Sequence, residues 1–350
     1  MKKIIKQVVG IDVAQDELVV CLGRMYDDWI PELYAYKTFA NRPGGYKALV
    51  QWVKKPAGQG PAQRYVMEAT GVYHEKLAYF LEDHGEQISI VLPNKISNYA
   101  RTLDVKTVTD KTASEAIARF GLERELETWK RPKEIFKRLR QLTRERDQIV
   151  EERTRGKNQL HAEKTEAEPN KNSLKRVNKR IQLLDKQEAE IQKEIAQIVK
   201  QDKDISQLVD RICTIPGVGL LTAATILAET NGFDLIRNRR QLASYAGFDV
   251  RQKQSGTSVK GKPRISKKGN KYLRKAMHLP ALAAIRHQEN LKGLFARLVS
   301  RHGIKMKAAV AAQRKLLELT YTIYKTNTIY DKNHLAKENQ RAAEGSMVAA

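Results

Sequence analysis

Three carboxylates stand where the sequence could support phosphoryl chemistry. Asp12 ends the short apolar run Val8-Val9-Gly10-Ile11-Asp12-Val13, Glu68 ends Arg64-Tyr65-Val66-Met67-Glu68, and Asp110 lies where a polar loop enters a helix. In α/β sheets, sites assemble at strand ends. Carboxylates arriving from separate elements can hold one or two hard cations through oxygen alone. Such cations polarise phosphate and stabilise the charge that builds up at phosphoryl transfer. Taken singly, each acid also has a plainer reading: Asp12 as a turn residue, Glu68 as a surface acid, Asp110 as a helix N-cap. His74 and His84 fall on or beside a polar helical face, where solvated histidines sit, and Glu75 and Glu82 read as helix-surface charges.

A second concentration of reactive types spans residues 251–275. It holds Arg251, Lys253, Lys260, Lys262, Arg264, Lys267, Lys268, Lys271, Arg274 and Lys275 and no acid, interleaved with Ser255-Gly256, Gly261, Pro263, Ser266 and Gly269. A solvated helical face would mix both signs; a cationic loop rich in glycine and serine suits a phosphate lying against backbone. A serine hydroxyl there either bonds phosphate or attacks phosphorus, with the surrounding cations stabilising the developing charge. Ahead of it, Ile215-Pro216-Gly217-Val218-Gly219 opens a helix at Leu220. Gly217 and Gly219 permit a tight turn with exposed N–H groups beside a helix N-terminus, a phosphate-binding arrangement of helix-hairpin-helix type; the plain alternative is a helix–helix connection.

Composition gives these clusters their setting. The chain has 350 residues, 64 Lys plus Arg against 40 Asp plus Glu, and a formal net charge of +24. Such an excess favours a polyanionic partner, and nucleic acid is the one whose bound counterions reward each phosphate contact. At 41% hydrophobic residues, real cores are expected. No apolar run approaches the roughly 18–20 residues of a membrane helix, so no membrane partner is expected. Lys6 and Asp12 interrupt any secretory leader, and Cys21 and Cys213 build neither a disulfide framework nor a cysteine zinc site, so a reducing, cytoplasmic compartment is expected.

The elements that must carry these residues follow from periodicity. Residues 1–125 read as α/β, with strands at 8–13, 18–22, 34–39, 64–68 and 88–92, helices at 44–53, 73–83 and 110–121, and a Pro/Gly-rich loop at 54–63. The spacing predicts a mixed sheet with helices on its faces. In 126–205, Ile135, Leu139, Leu142 and Ile149 form one seam, continued through Gly156 and Leu160. Leu174, Val177, Ile181, Leu184, Ile191, Ile195 and Ile198 form another, with Glu168-Pro169-Asn170 between them. That pattern predicts an antiparallel coiled-coil hairpin, each arm roughly 45 Å long. It serves as a spacer or dimerisation rod, or grips nucleic acid. Residues 206–330 read as mainly α-helical and 331–350 as a flexible tail.

The motifs also occur in a telling order. Gly10-Ile11-Asp12-Val13, Met67-Glu68-Ala69-Thr70-Gly71, and Thr109-Asp110-Lys111 leading to Ile117-Ala118-Arg119-Phe120 come first. After the hairpin come Ile215-Pro216-Gly217-Val218-Gly219, Gln241-Leu242-Ala243-Ser244-Tyr245-Ala246-Gly247, Ser255-Gly256 and Arg264-Ile265-Ser266-Lys267-Lys268-Gly269-Asn270. Over roughly residues 5–325 this resembles the DEDD transposases of the insertion sequence 110 group, relatives of the Piv DNA invertase. The resemblance implies a RuvC-like (RNase H fold) domain, a coiled coil and a helical transposase domain. It implies Mg2+ (or Mn2+) held by Asp12, Glu68 and Asp110. It implies an element-encoded bridge RNA pairing with donor and target double-stranded DNA, and strand exchange through a 5′-phosphoserine. It also implies dimers and a tetrameric synapse in which the acids of one subunit meet the serine of another.

Within that resemblance Ser255 matches the nucleophile, with Ser266 as the alternative. Gly217, Gly219, Lys260, Lys262, Arg264, Lys267, Lys268, Lys271 and Arg274 are expected on nucleic acid. The family's fourth acid lies three residues after the third, where this chain has Ala113. Glu115 and Asp104 are the nearby acids that could replace it. Two other functions fit the same residues: a metal-dependent Holliday-junction resolvase or nuclease, and a catalytically inactive nucleic-acid-binding relative.

Overall fold

The structure, a computed structural model, describes residues 2–333 except 56–59, 70, 104–106, 108, 253, 257 and 262. The chain forms two compact units, Met1–Arg131 and Pro132–Ala350.

The first unit is built on strands β1 (Ile4–Val13), β2 (Glu17–Tyr26), β3 (Pro31–Ala40), β4 (Arg64–Glu68) and β5 (Gln87–Val91), with helices α1 (Pro43–Lys54), α2 (Glu75–Asp83), α3 (Pro93–Ala100) and α4 (Asp110–Glu123). The sheet order is β3-β2-β1-β4-β5. The first three strands are antiparallel neighbours, while β1, β4 and β5 are parallel. This is the mixed sheet that the apolar runs predicted. Both faces of β1 are covered, which explains why its sequence is a continuous apolar run rather than an alternation. Val9, Ile11 and Val13 pack with Tyr46, Leu49, Leu77 and Leu81 on one side. Val8 packs with Val66, Ile96 and Ile117 on the other.

Helix α4 lies unusually close to the sheet. A Cβ at Gly10 would stand 2.4 Å from the Ala118 nitrogen and 2.6 Å from the Ser114 carbonyl oxygen, and one at Gly121 would stand 2.7 Å from Val8. Only glycine allows that approach. Because Ser114 and Ala118 meet Gly10 while Gly121 meets Val8, α4 runs antiparallel to β1, and its first turn lies towards the strand end that carries Asp12. The sequence reading missed α3. Its opening Pro93-Asn94 looks like a turn, but proline is at home in the first turn of a helix, where its missing N–H costs nothing.

The second unit begins with two 31-residue helices, α5 (Glu134–Lys164) and α6 (Lys171–Gln201). Arg138 pairs with Glu194, Arg153 with Asp185 and Ser173 with Glu163, so the arms are antiparallel. Asn170 caps α6 by accepting from the Asn172 and Ser173 amides. Then follow α7 (Lys203–Cys213), α8 (Leu220–Thr230), α9 (Arg239–Tyr245), short strands β6 (Val250–Arg251), β7 (Gln254–Ser255), β8 (Val259–Lys260) and β9 (Arg264–Ile265), and helices α10 (Lys271–Ala276), α11 (His278–His287), α12 (Glu289–His302) and α13 (Lys305–Thr326). One core joins Leu139, Ile195, Ile212, Leu227, Leu242, Leu273 and Leu316, so the base of the hairpin is packed into the helices that follow it. Among the described residues no helix is long and apolar enough to cross a membrane.

Candidate functional site

In the first unit, three elements bring acids towards one another. Asp12 is half-buried near the end of β1, Glu68 ends β4, and Asp110 opens α4. The α4 start is fixed by a capping box. The Thr109 hydroxyl accepts from the Thr112 amide at 3.2 Å, and the Thr112 hydroxyl accepts from the Thr109 amide at 2.8 Å. Burial, then the neighbouring charges of Asp110 and Glu68, push the Asp12 carboxyl up from 3.8 to about 6. Burial contributes most to the rise, and the two neighbouring carboxylates add to it. The donor set suits a divalent cation, because it is all oxygen and because a cation relieves that repulsion. Among the described residues, however, no three metal-binding side chains stand close enough together to hold an ion. The acids are near enough to feel one another and do not form a closed cage.

Glu68 and Ala113 line the same cleft of about 600 Å³, together with Asn94 and Ser97 of α3 and Arg101 just after it. A side chain at 113 therefore faces the cleft that Glu68 faces. Glu115 sits elsewhere on α4, close enough to the buried Cys21 thiol of β2 to help raise it to about 12, after burial itself. It does not share the cleft. Asp104 lies outside the described residues. His84 is exposed, with Nδ1 2.7 Å from the Phe80 carbonyl oxygen.

In the second unit, the basic loop has a hydrogen-bonded base that carries a hairpin. β6 and β9 pair with Arg251 directly opposite Arg264, two exposed like charges whose repulsion an anion between them would remove. The Ser266 amide donates to the Asp249 carbonyl at 2.8 Å, and its hydroxyl donates to the Asp249 carboxylate at 2.6 Å. Lys267 adopts a left-handed φ of 53°, and its amide donates to the Gly247 carbonyl. Gly269 sits where a Cβ would stand 2.4 Å from the Tyr245 carbonyl oxygen. Arg274 Nη1 donates to the carbonyls of Ala246, Gly269 and Asn270, so this cation clamps the loop rather than facing solvent freely. Lys275 pairs with Asp147 and Glu151 of α5.

Beyond that base, β7 and β8 pair Ser255 with Val259 across a turn at Gly256. Ser255 is exposed and its hydroxyl makes no hydrogen bond among the described residues, whereas Ser266 is engaged on both sides of its hydroxyl. Arg264, Lys267 and Lys268 are exposed and free of ion pairs among the described residues. Lys271 lies 5.0 Å from the Tyr272 ring centre. Of Lys260 the backbone alone is described, and Lys253 and Lys262 lie outside the described residues.

The glycine turn divides its two glycines. Gly217 has a φ of 92°, and a Cβ there would stand 2.6 Å from the Pro280 carbonyl oxygen, so it serves the docking of α11. Gly219 opens α8 with no side-chain cap and nothing within 4 Å of its missing Cβ, leaving that helix end open.

Sequence reasoning missed the group that holds the loop base in place. Glu229, buried at 1% exposure near the end of α8, accepts two hydrogen bonds from Arg144 at 2.7 and 2.8 Å. It takes a third from the Asn270 side chain at 2.6 Å. The Asn270 side-chain oxygen in turn accepts from the amides of Tyr272 and Leu273 and so caps α10. The Asn-x-x pattern before a helix was the readable part of that signal; Glu229 looks in sequence like any helix-end acid.

Comparisons with known proteins place the chain among transposases. Residues 9–165 match a family described as Transposase, of the DEDD IS110 type, and residues 209–296 match the Transposase IS116/IS110/IS902 family. The chain is 28% identical over 329 residues to the pilin gene-inverting protein of Moraxella bovis, covering 93% of this chain and 98% of the relative. It is 31% identical over 157 residues to the transposase for insertion sequence element IS1111A of Coxiella burnetii, covering 43% of this chain and 41% of the relative. A solved structure, T. thermophilus RuvC in complex with Holliday junction substrate, aligns at a TM-score of 0.27 and 9% identity, covering 35% of this chain and 99% of that one. With both of its units matched by transposase families of one group, the chain belongs to the IS110/IS116/IS902 family of DEDD transposases.

Proposed function

We propose that the protein is an RNA-guided DNA recombinase of an insertion element, which joins donor and target DNA through a 5′-phosphoserine on Ser255. Base pairing by an element-encoded bridge RNA selects the sequences, while the protein grips backbone and shape, as in other RNA-guided systems. The observation that carries the reading is the contrast between two serines of one cationic loop. The Ser255 hydroxyl is exposed and unengaged among the described residues, on a hairpin whose base is clamped; Ser266 is part of the clamp.

In the covalent step, Ser255 Oγ bonds to phosphorus and the phosphorus–3′-oxygen bond breaks. The 5′ phosphate stays on the serine, the serine proton is released, and the departing 3′ oxygen becomes a hydroxyl. Arg264, Lys267 and Lys268 stabilise the charge gathered on the phosphate oxygens. Attack by the 3′ hydroxyl of another strand reverses the chemistry and frees the serine. Asp12, Glu68 and Asp110 would hold Mg2+ or Mn2+, which supplies Lewis-acid stabilisation of the phosphate. The dimer and the tetrameric synapse belong to the same proposal, with the acids of one subunit serving the serine of another. The pilin gene-inverting relative is named for the inversion of a gene.

The test is a denaturing gel of DNA trapped on the full chain with guide RNA and Mg2+. Covalent adducts are expected with the native chain and with Ser266→Ala at reduced yield, and none with Ser255→Ala. Hydrolysed ends without adduct, indifferent to Ser255→Ala, would instead identify a junction resolvase or nuclease. Tight binding without any strand breakage would identify an inactive relative.

A further inference from the structure

The outer edge of the first unit's sheet carries an aromatic–cation pair that the acidic site does not use. Asp12 of β1 is registered against Val19 of β2, and Val19 against Thr38 of β3; one pleat back, Gly10, Cys21 and Tyr36 form the neighbouring row. Side chains alternate along a strand, so Asp12, Thr38 and Tyr36 share one face, the face that α4 covers at Gly10. From Asp12 to Tyr36 is two strands across at about 4.8 Å each and two residues along at about 3.3 Å each, a span of about 12 Å. β3 is the outermost strand, and Tyr36 is 43% exposed on it. The Lys111 ammonium, one residue after Asp110, lies 5.3 Å from the Tyr36 ring centre.

We propose that Tyr36 and Lys111 form a stacking step for an unpaired nucleotide of the strand whose phosphate lies at Asp12, Glu68 and Asp110. An aromatic face is sequence-tolerant because every base has a π-face, and a cation beside it takes the adjoining phosphate. That suits a protein whose sequence choice is made elsewhere. The step rests on the reading that the three acids receive a nucleic-acid phosphate. Its position, on the rim and about one extended nucleotide or two from the acids, holds a strand already separated from its complement. The same chemistry accepts a DNA or an RNA nucleotide; DNA is the expected occupant, since the strand at the acids is the one to be exchanged.

The experiment uses the full chain with Ca2+ in place of Mg2+, so that the acids keep a counter-charge while strand transfer is suppressed, and oligothymidylate carrying photoreactive 4-thiothymidine, with a 4-thiouridine oligonucleotide of equal length as the RNA arm. Crosslinked peptides are mapped. Crosslinks are expected in the β3 peptide around Tyr36, retained in Tyr36→Phe and reduced about fivefold or more in Tyr36→Ala. Crosslinks in the 251–275 loop stay constant across the variants and report folding and overall binding. The arm that shows the Tyr36 dependence names the nucleic acid. Absence of β3 crosslinks in the native chain, or yields unchanged by Tyr36→Ala in both arms, overturns the step. Adduct formation at Ser255 is scored in parallel samples with Mg2+. Adducts without a Tyr36-dependent crosslink overturn this step alone. Tyr36-dependent crosslinks without adducts uphold it and remove the phosphoserine reading.

Discussion

Replacing Asp12 by asparagine should stabilise the metal-free protein, increasingly as pH rises from 3.8 and in full above about 6. The folded Asp12 carboxyl titrates at about 6 instead of 3.8, through burial first and the charges of Asp110 and Glu68 next. A carboxyl that binds its proton more tightly when folded makes the folded state lose stability as pH rises from the unfolded value to the folded one. The penalty is absent below pH 3.8 and complete above about 6. At about 1.4 kcal/mol per pH unit the shift corresponds to about 3 kcal/mol, and solvent reaching the half-buried carboxylate reduces this to about 1–2 kcal/mol. An asparagine amide carries no such charge, so the Asp12→Asn variant should be about 1–2 kcal/mol more stable at pH 8 in EDTA and equal to the native chain near pH 4. Trp29, Trp52 and Trp129 are the only tryptophans and all lie in the first unit, so urea unfolding followed by tryptophan emission reads that unit alone. Millimolar Mg2+ should reverse the order by binding the native site. A variant less stable than the native chain at pH 8 without divalent ions, or a difference that does not change with pH, would refute the electrostatic account of these acids.

Ala113→Asp should place a fourth carboxylate on the cleft that Glu68 lines, tightening Mg2+ binding in calorimetry and raising strand-transfer yield; unchanged binding would place the two side chains too far apart to cooperate. Glu229→Ala leaves Arg144 and Asn270 without their shared acceptor and should cost the second unit about 2–4 kcal/mol, below the figure for a fully enclosed pair because Arg144 is part-exposed and can turn to water. Thermal unfolding followed by helical circular dichroism reads it. Gly217→Ala requires a left-handed φ of 92° and a Cβ 2.6 Å from the Pro280 carbonyl, so it should lower stability by about 2 kcal/mol or more, while Gly219→Ala, with open space around it, should cost far less in the same assay.

The parts of the fold that could be read in advance are those whose signal is local. β1, β2, β4 and β5 are apolar runs bounded by polar turns, and their strand assignment follows from composition within a few residues. α4 was readable from its Thr-Asp start and its apolar spacing. What made α4 useful, its close approach to β1, depends on Gly10 and Gly121 facing Ala118, Val8 and Val66 across the sheet. A glycine in a strand says that something comes close, not what. α3 was hidden because a proline that begins a helix and a proline that ends one look alike without the following hydrogen bonds. The acids were legible as types at strand ends, but their coupling was not, because the burial and the repulsion that raise Asp12 depend on three elements meeting.

In the basic loop, sequence reasoning counted cations and serines alike, and the fold separates them by what their polar atoms already touch. Ser266, Arg274 and Asn270 have their hydrogen-bonding capacity taken up inside the chain, by Asp249, by three backbone carbonyls and by Glu229. The side chains of Ser255, Arg264, Lys267 and Lys268 face solvent with theirs unfilled among the described residues. A satisfied group holds geometry, because breaking its bonds leaves a desolvated partner behind. An unfilled one exchanges water for ligand at little cost. Arg274 therefore belongs with the framework despite its charge, and a substitution there should disturb the placement of the hairpin before it disturbs contact with phosphate. Charge alone groups Arg274 with Arg264; only the carbonyls of Ala246, Gly269 and Asn270, brought together by the turn after α9 and the start of α10, tell them apart.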